Sequence, residues 1–268
     1  MVHPKKRLGQ HFLHHRAILD RIAAALDPEP GSIVIEIGPG QGALTEALSR
    51  RGARVTAIEK DRALVPLVRE RLSDVRVLHG DALELDWRSV AGVGPDEPLL
   101  VAGNIPYNIT SPLLAKALLP PRPQRIVFLV QEEVADRLVA PPGGEAYGAL
   151  SIGVQSVARV EKLFKVPAGA FHPRPEVDSA VVRLTPLAAP LVADQEVPGL
   201  RRVVVGLFGF RRKQLVRGLR ELTGWSAEQS GDTLRRSGLD GSARPETVAP
   251  EGFVRLFRSL IDAGWTPG

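Results

Sequence analysis

The sequence predicts an α/β fold, a mainly parallel sheet wrapped by helices and followed by a small helical domain. Three observations predict it. Short β-branched runs alternate with helical patterns through roughly residue 186, as in a series of βαβ units. The loops after the first four runs carry glycines or polar residues, at the sheet edge where open α/β folds bind ligands. After Thr185-Pro186, an alanine- and proline-rich stretch over 187–198 gives way to helical periodicity from Leu200 onward. Residues 1–186 are therefore expected to form the sheet domain with an N-terminal arm, and residues 187–268 a linker and helical domain.

The expected strands, in order, are Ile33–Ile37, Arg54–Ile58, Val75–His79, Leu99–Ala102 and Ile126–Val130. Each is too short for a stable helix and rich in residues that suit a pleated, half-buried surface. Two more, Val160–Val166 and Ser179–Leu184, flank a proline-rich loop and suit an antiparallel hairpin at the sheet edge. Pro120-Pro121-Arg122-Pro123 and Pro141-Pro142-Gly143-Gly144 read as loops.

Composition then bounds the chemistry. A chain of 268 residues, 44% hydrophobic, can bury a full core. With no cysteine, disulfides, thiolate metal sites and a cysteine nucleophile are all excluded, and no metal ion is expected. The first twenty residues lack the apolar stretch of a signal peptide and no later run is long enough to span a membrane, so a cytoplasmic protein without a membrane partner is expected. A monomer is the default. The net charge of +5 favours a polyanionic partner.

Glu36-Ile-Gly38-Pro-Gly40-Gln-Gly42 follows the first strand and precedes a helix, so the backbone can approach a ligand closely beneath free helix N–H groups. An ordinary tight turn has the same look. Glu59, 21 residues after Gly38 at the end of the second strand, is placed to accept both hydroxyls of a ribose. Asp81, in the Gly80-Asp81-Ala82 turn after the third strand, can accept from an adenine amine or simply cap its own turn. Nicotinamide dehydrogenases share this layout, although the spacing here is Gly-x-Gly-x-Gly rather than Gly-x-Gly-x-x-Gly.

Gly103-Asn104-Ile105-Pro106-Tyr107-Asn108, after the fourth strand, is the most informative stretch. An exocyclic adenine amine is a poor nucleophile because its lone pair is delocalised into the ring. The Asn104 side-chain oxygen and a backbone carbonyl near Ile105 or Pro106 can accept its two N–H bonds and turn the lone pair toward an activated methyl group. Pro106 fixes the turn, and Tyr107 offers a flat face to a base taken out of its stack. No strong general base is required, since the nitrogen becomes acidic once it is cationic.

Taken together, Arg7-Leu-Gly-Gln-His-Phe-Leu13, Glu36-Ile-Gly-Pro-Gly40, Gly103-Asn-Ile-Pro-Tyr-Asn108 and Phe171-His-Pro-Arg-Pro-Glu-Val-Asp-Ser179 resemble the KsgA family of small-subunit rRNA adenine dimethyltransferases, from about residue 5 to 258. The resemblance implies a Rossmann-like methyltransferase domain using S-adenosylmethionine and releasing S-adenosylhomocysteine. It implies that two adjacent adenosines near the 3′ end of 16S rRNA, in the immature small subunit, become N6,N6-dimethylated, with a role in ribosome biogenesis. His11, Leu13, Gly38, Gly40, Glu59, Asp81 and Asn104 are the cofactor contacts it implies, His11 standing where many relatives have asparagine. Phe171, ahead of two prolines, either packs in the core or faces a flipped adenine at the site rim; the resemblance favours the rim.

Between Arg201 and Arg220 lie seven basic residues and no acidic one. On a continuous helix Lys213, Arg217 and Arg220 share a face that suits a phosphate backbone, and Arg211, Arg212 and the tail residues Lys5, Lys6 and Arg7 join them as candidate RNA contacts. A charge run can equally be a solvated face. Besides the dehydrogenase, two further readings stand: the related large-subunit methyltransferase of macrolide resistance, which shares Asn-Ile-Pro-Tyr, and a non-catalytic RNA-binding assembly factor.

Overall fold

The β-branched runs form strands in the computed structural model, which describes residue 5 and residues 8–267. After a two-residue β1 (Phe12–Leu13) come β2 (Ile33–Ile37), β3 (Arg54–Glu59), β4 (Arg76–His79), β5 (Leu100–Asn104) and β6 (Arg125–Gln131). Helices α1 (Arg16–Leu26), α2 (Ala43–Ser49), α3 (Val65–Arg71), α4 (Trp87–Ala91) and α5 (Thr110–Ala117) alternate with them. The chain continues through α6 (Glu132–Val139), α7 (Ala149–Gln155), β7 (Ala158–Val166), β8 (Phe171–His172) and β9 (Ser179–Pro186). Four helices follow, α8 (Val197–Gly209), α9 (Leu215–Thr223), α10 (Ala227–Arg236) and α11 (Pro250–Asp262).

The main sheet has the order β4-β3-β2-β5-β6-β9-β7. Strands β2 to β6 pair in parallel, and β9 runs antiparallel to β6 from Ile126↔Leu184 to Gln131↔Ser179. The two late runs are thus sheet neighbours at one edge. Growth of the sheet reverses between β2 and β5, which opens a crevice beyond their carboxyl ends. A second, two-stranded sheet pairs β1 with β8, Phe12↔His172 and Leu13↔Phe171.

Amphipathic periodicity explains how the helices cover this sheet. In α1 the buried positions are Leu19, Ile22, Ala23 and Leu26, the i, i+3, i+4, i+7 stripe of a helix with one apolar face. That stripe meets alternate residues of the strands, among them Val34, Val55, Ala57, Leu100 and Ala102, in one core cluster.

The chain divides into two compact units, Met1–Ala135 with Val160–Pro186, and Asp136–Arg159 with Leu187–Gly268. This division differs from the expected 1–186 and 187–268 in that residues 136–159 group with the C-terminal helices. Apolar burial is the reason. Within the second unit α7 packs on α8, and Tyr147 lies edge-on to Phe208, which stacks obliquely on Phe253 at 6.0 Å. The Tyr147 hydroxyl also donates to the Val248 carbonyl at 2.8 Å, so this loop is tied to the helical unit by both a ring and a hydrogen bond. Among the described residues no helix is long and apolar enough to cross a membrane.

Candidate active site

Strand alternation places the polar residues of the site. Along β2, Val34 and Glu36 share one face; along β3, Val55, Ala57 and Glu59; along β5, Leu100, Ala102 and Asn104. The apolar members of all three series belong to the core cluster, so Glu36, Glu59 and Asn104 continue the same face toward the carboxyl edge. The parallel register, Glu36↔Ala57 and Ile37↔Gly103, brings these strand ends side by side. A pocket opens there, walled by residues 8–13 of the N-terminal arm, the glycine loop, the ends of β3 and β4, and the segment 104–109.

Gly38, Gly40 and Gly42 all have positive φ, at 68°, 57° and 82°, which lets the loop fold back over the strand end. At Gly40 a Cβ would also lie 2.9 Å from the Phe12 ring of the arm. Glu59, 5% exposed, accepts the Gly40 N–H at 3.1 Å through Oε2 and the Asp61 N–H at 2.7 Å through Oε1. Burial pushes its pKa up, with the two backbone donors opposing the shift. Glu36 is more extreme. It is 1% exposed, its Oε2 has no hydrogen-bond partner, and burial lifts its pKa to about 8, with Thr45 opposing and the Glu59 charge reinforcing the shift. Glu36 was visible in the sequence only as part of the glycine motif; its signal was an acid in an otherwise apolar strand.

Asp81 Oδ1 accepts the Leu83 N–H at 2.9 Å and its other oxygen pairs with Lys60, so it does cap its own turn. Its carboxyl keeps further lone pairs in the pocket wall. Asn104 donates from Nδ2 to the His11 carbonyl at 2.8 Å. That bond commits the amide nitrogen and leaves Oδ1 as an acceptor. Pro106 has its carbonyl taken by the Ile109 N–H at 3.1 Å and the Thr110 hydroxyl at 3.3 Å. The Tyr107 hydroxyl hydrogen-bonds to Ser179 at 2.9 Å, and its ring stacks with His11 at 5.7 Å and 24°. Nδ1 of His11 donates to the Pro173 carbonyl at 2.8 Å, which fixes the ring through its tautomer. Leu13, buried in β1, lines the same wall.

Three expectations need correction. Phe171 is 4% exposed and sits in the core cluster, because β1–β8 pairing turns it inward with Leu13; it is not among the pocket-lining residues. Lys213 is not helical, since α9 starts at Leu215 with Gln214 as its N-cap, so only Arg217 and Arg220 share that helix. Arg211, Arg212, Lys213, Arg217 and Arg220 are all exposed, and none forms an ion pair with another described residue. The third concerns Lys5, whose ammonium is bound to Asp61 at 2.6 Å rather than free in solvent. Lys6 and Arg7 lie outside the described residues.

With this geometry in place, the relatives agree in kind. Residues 1–262 match the family described as ribosomal RNA adenine dimethylase. The protein of Hahella chejuensis named ribosomal RNA small subunit methyltransferase A is 42% identical over 96% of this chain and 93% of its own length. Its namesake in Pseudomonas aeruginosa is 43% identical over 96% and 95%. Among solved structures, a dimethyladenosine transferase from Plasmodium falciparum superposes with a TM-score of 0.82 at 25% identity over 95% of this chain and 99% of that one. The 23S rRNA methyltransferase ErmE gives 0.72 at 30% over 93% and 99%. Near-complete coverage by sequence and by fold, on a pocket that carries the strand-end carboxylate and the Asn-Ile-Pro-Tyr turn, leads to one assignment: the chain belongs to the ribosomal RNA adenine dimethylase family.

Proposed function

We propose that this protein transfers methyl groups from S-adenosylmethionine to the N6 amines of two adjacent adenosines near the 3′ end of 16S rRNA, in the immature small ribosomal subunit. The observation that carries the chemistry is Asn104: its Nδ2 is spent on the His11 carbonyl, so its Oδ1 is held as an acceptor at the pocket. An adenine amine donating there, and to the Ile105 carbonyl rather than the occupied Pro106 carbonyl, presents its lone pair out of the base plane. Tyr107, held by Ser179, supplies the face on which the base rests.

The pocket fits the methyl donor. Glu59 keeps a second lone pair on each oxygen for a ribose diol, Gly38 and Gly40 let the backbone come close, and Oε2 of Glu36 has no partner of its own. When bound, S-adenosylmethionine supplies an electrophilic methyl group on a positively charged sulfur. The protein's part is orientation and exclusion of water, and the amine sheds its proton without a dedicated base.

Identity favours the small subunit as substrate: relatives named for it are 41–43% identical, against 30% for the 23S enzyme. Tritiated donor incubated with isolated immature small subunits and with large subunits, followed by mapping of the labelled nucleotides, tests this; label confined to large subunits refutes it. Asn104→Ala should lose about 10²–10³ in turnover, the scale of one removed orienting hydrogen bond, with RNA affinity retained.

A further inference from the structure

Asp61 lies two residues beyond Glu59, is 2% exposed, and has no place in the chemistry above. Its backbone N–H holds Glu59 Oε1 at 2.7 Å. Oδ1 accepts from the Lys5 ammonium at 2.6 Å and from the Ala63 N–H at 3.0 Å; Oδ2 accepts from Gln10 Nε2 at 3.0 Å. Both long-range donors belong to the N-terminal arm, and the Lys5 N–H closes the loop by donating to Gln10 Oε1 at 2.7 Å. Immediately downstream the arm walls the pocket, with Gly9 packed toward Pro106 and Asn108, Phe12 against Gly40, and the His11 carbonyl bound to Asn104.

The arm is therefore anchored at two points, by β1–β8 pairing after His11 and by Asp61 before it. A buried carboxylate without its cation would be costly, so the Asp61 side chain holds Lys5 and Gln10 firmly even though the Lys5 side chain is 37% exposed. We infer that Asp61 is a positioning residue: it latches the N-terminal arm across the cofactor pocket, so that the wall exists before the cofactor arrives. The inference rests on the pocket being the S-adenosylmethionine site. A wall present only part of the time lowers apparent affinity by the fraction of molecules that have it. Affinity, rather than turnover at saturation, is what the latch governs.

Asp61→Asn keeps an oxygen for the Ala63 turn while setting an amide NH2 against that of Gln10, and Lys5→Met removes only the cation. On the full chain, calorimetric titration with S-adenosylhomocysteine should show Kd rising on the order of tenfold for Asp61→Asn and severalfold for Lys5→Met, from the lost pre-ordering. Lys5→Arg should restore binding, and the double variant should bind no worse than Asp61→Asn alone. KM for S-adenosylmethionine should follow Kd while kcat at saturation stays within about threefold, a split that general damage to the fold would not give. Lys5→Met sits at an accessible position and decides the matter even if Asp61→Asn folds poorly. Binding within twofold of wild type in Lys5→Met, or fully additive losses in the double variant, overturns the latch. A wild-type chain that binds neither compound overturns the cofactor reading and the latch together.

Discussion

Glu36 makes stability depend on pH in an unusual direction. Its carboxyl stays protonated to about pH 8 in the folded protein, principally because it is buried, against 4.5 as the ordinary value. Across that window the native state keeps a proton that the unfolded chain has released, so stability falls as pH rises, from near 4.5 until the folded pKa is passed. Between pH 5 and pH 8 the loss from this one group is on the order of 3–4 kcal/mol, a large part of a typical domain's stability. Glu36→Gln, nearly isosteric and unable to ionise, removes that slope. The assay is urea unfolding at several pH values, in a Trp225→Phe, Trp265→Phe background, so that the fluorescence of buried Trp87 reports on the sheet unit. Glu59, also raised by burial, titrates in both proteins and largely cancels in the difference. The stability of Glu36→Gln minus that of its parent should grow by roughly 3–4 kcal/mol from pH 5 to pH 8. A difference flat to within about 0.5 kcal/mol would mean that Glu36 is ionised in the folded protein and that the argument from burial fails.

Other substitutions separate site from scaffold. Gly40→Ala, strained at φ 57° and driven into the Phe12 ring, should weaken S-adenosylhomocysteine binding at least about tenfold by calorimetry, with a stability cost of about 1–3 kcal/mol. Phe171→Ala should cost about 3–5 kcal/mol in denaturant unfolding, as expected of a core aromatic; native stability with abolished methyl transfer would return Phe171 to the rim. Neutralising Arg211, Arg212 and Lys213 together should weaken rRNA binding and reduce the slope of log affinity against log salt by about 2–3, with cofactor affinity intact, as filter binding across a salt series would show. An unchanged slope would remove these residues from the RNA interface.

Local chemistry was legible because its causes are local. A glycine loop after a β-branched run, an acid at the next strand end and Asn-Ile-Pro-Tyr after the fourth strand each sit within a few residues of the turn that aims them, and period-two alternation projects them to one sheet edge. The Lys213 expectation failed for an equally local reason: continuous helical spacing was assumed across a point where Gln214 begins a new helix.

What the sequence determined by itself was the α/β class, the strand order of events along the chain, and which residue types meet at the carboxyl edge, since these follow from spacing and from what glycine, proline and branched side chains permit. Tertiary structure alone decided which distant segments become partners. Phe171 is turned inward by Leu13, some 160 residues away, and Lys5 is drawn to Asp61 rather than to solvent. Residues 136–159 join the helical unit because Tyr147 finds its aromatic and hydrogen-bonding partners there. Periodicity states that a side chain must be buried or a charge satisfied; only the folded chain supplies the surface or the counter-charge that does it.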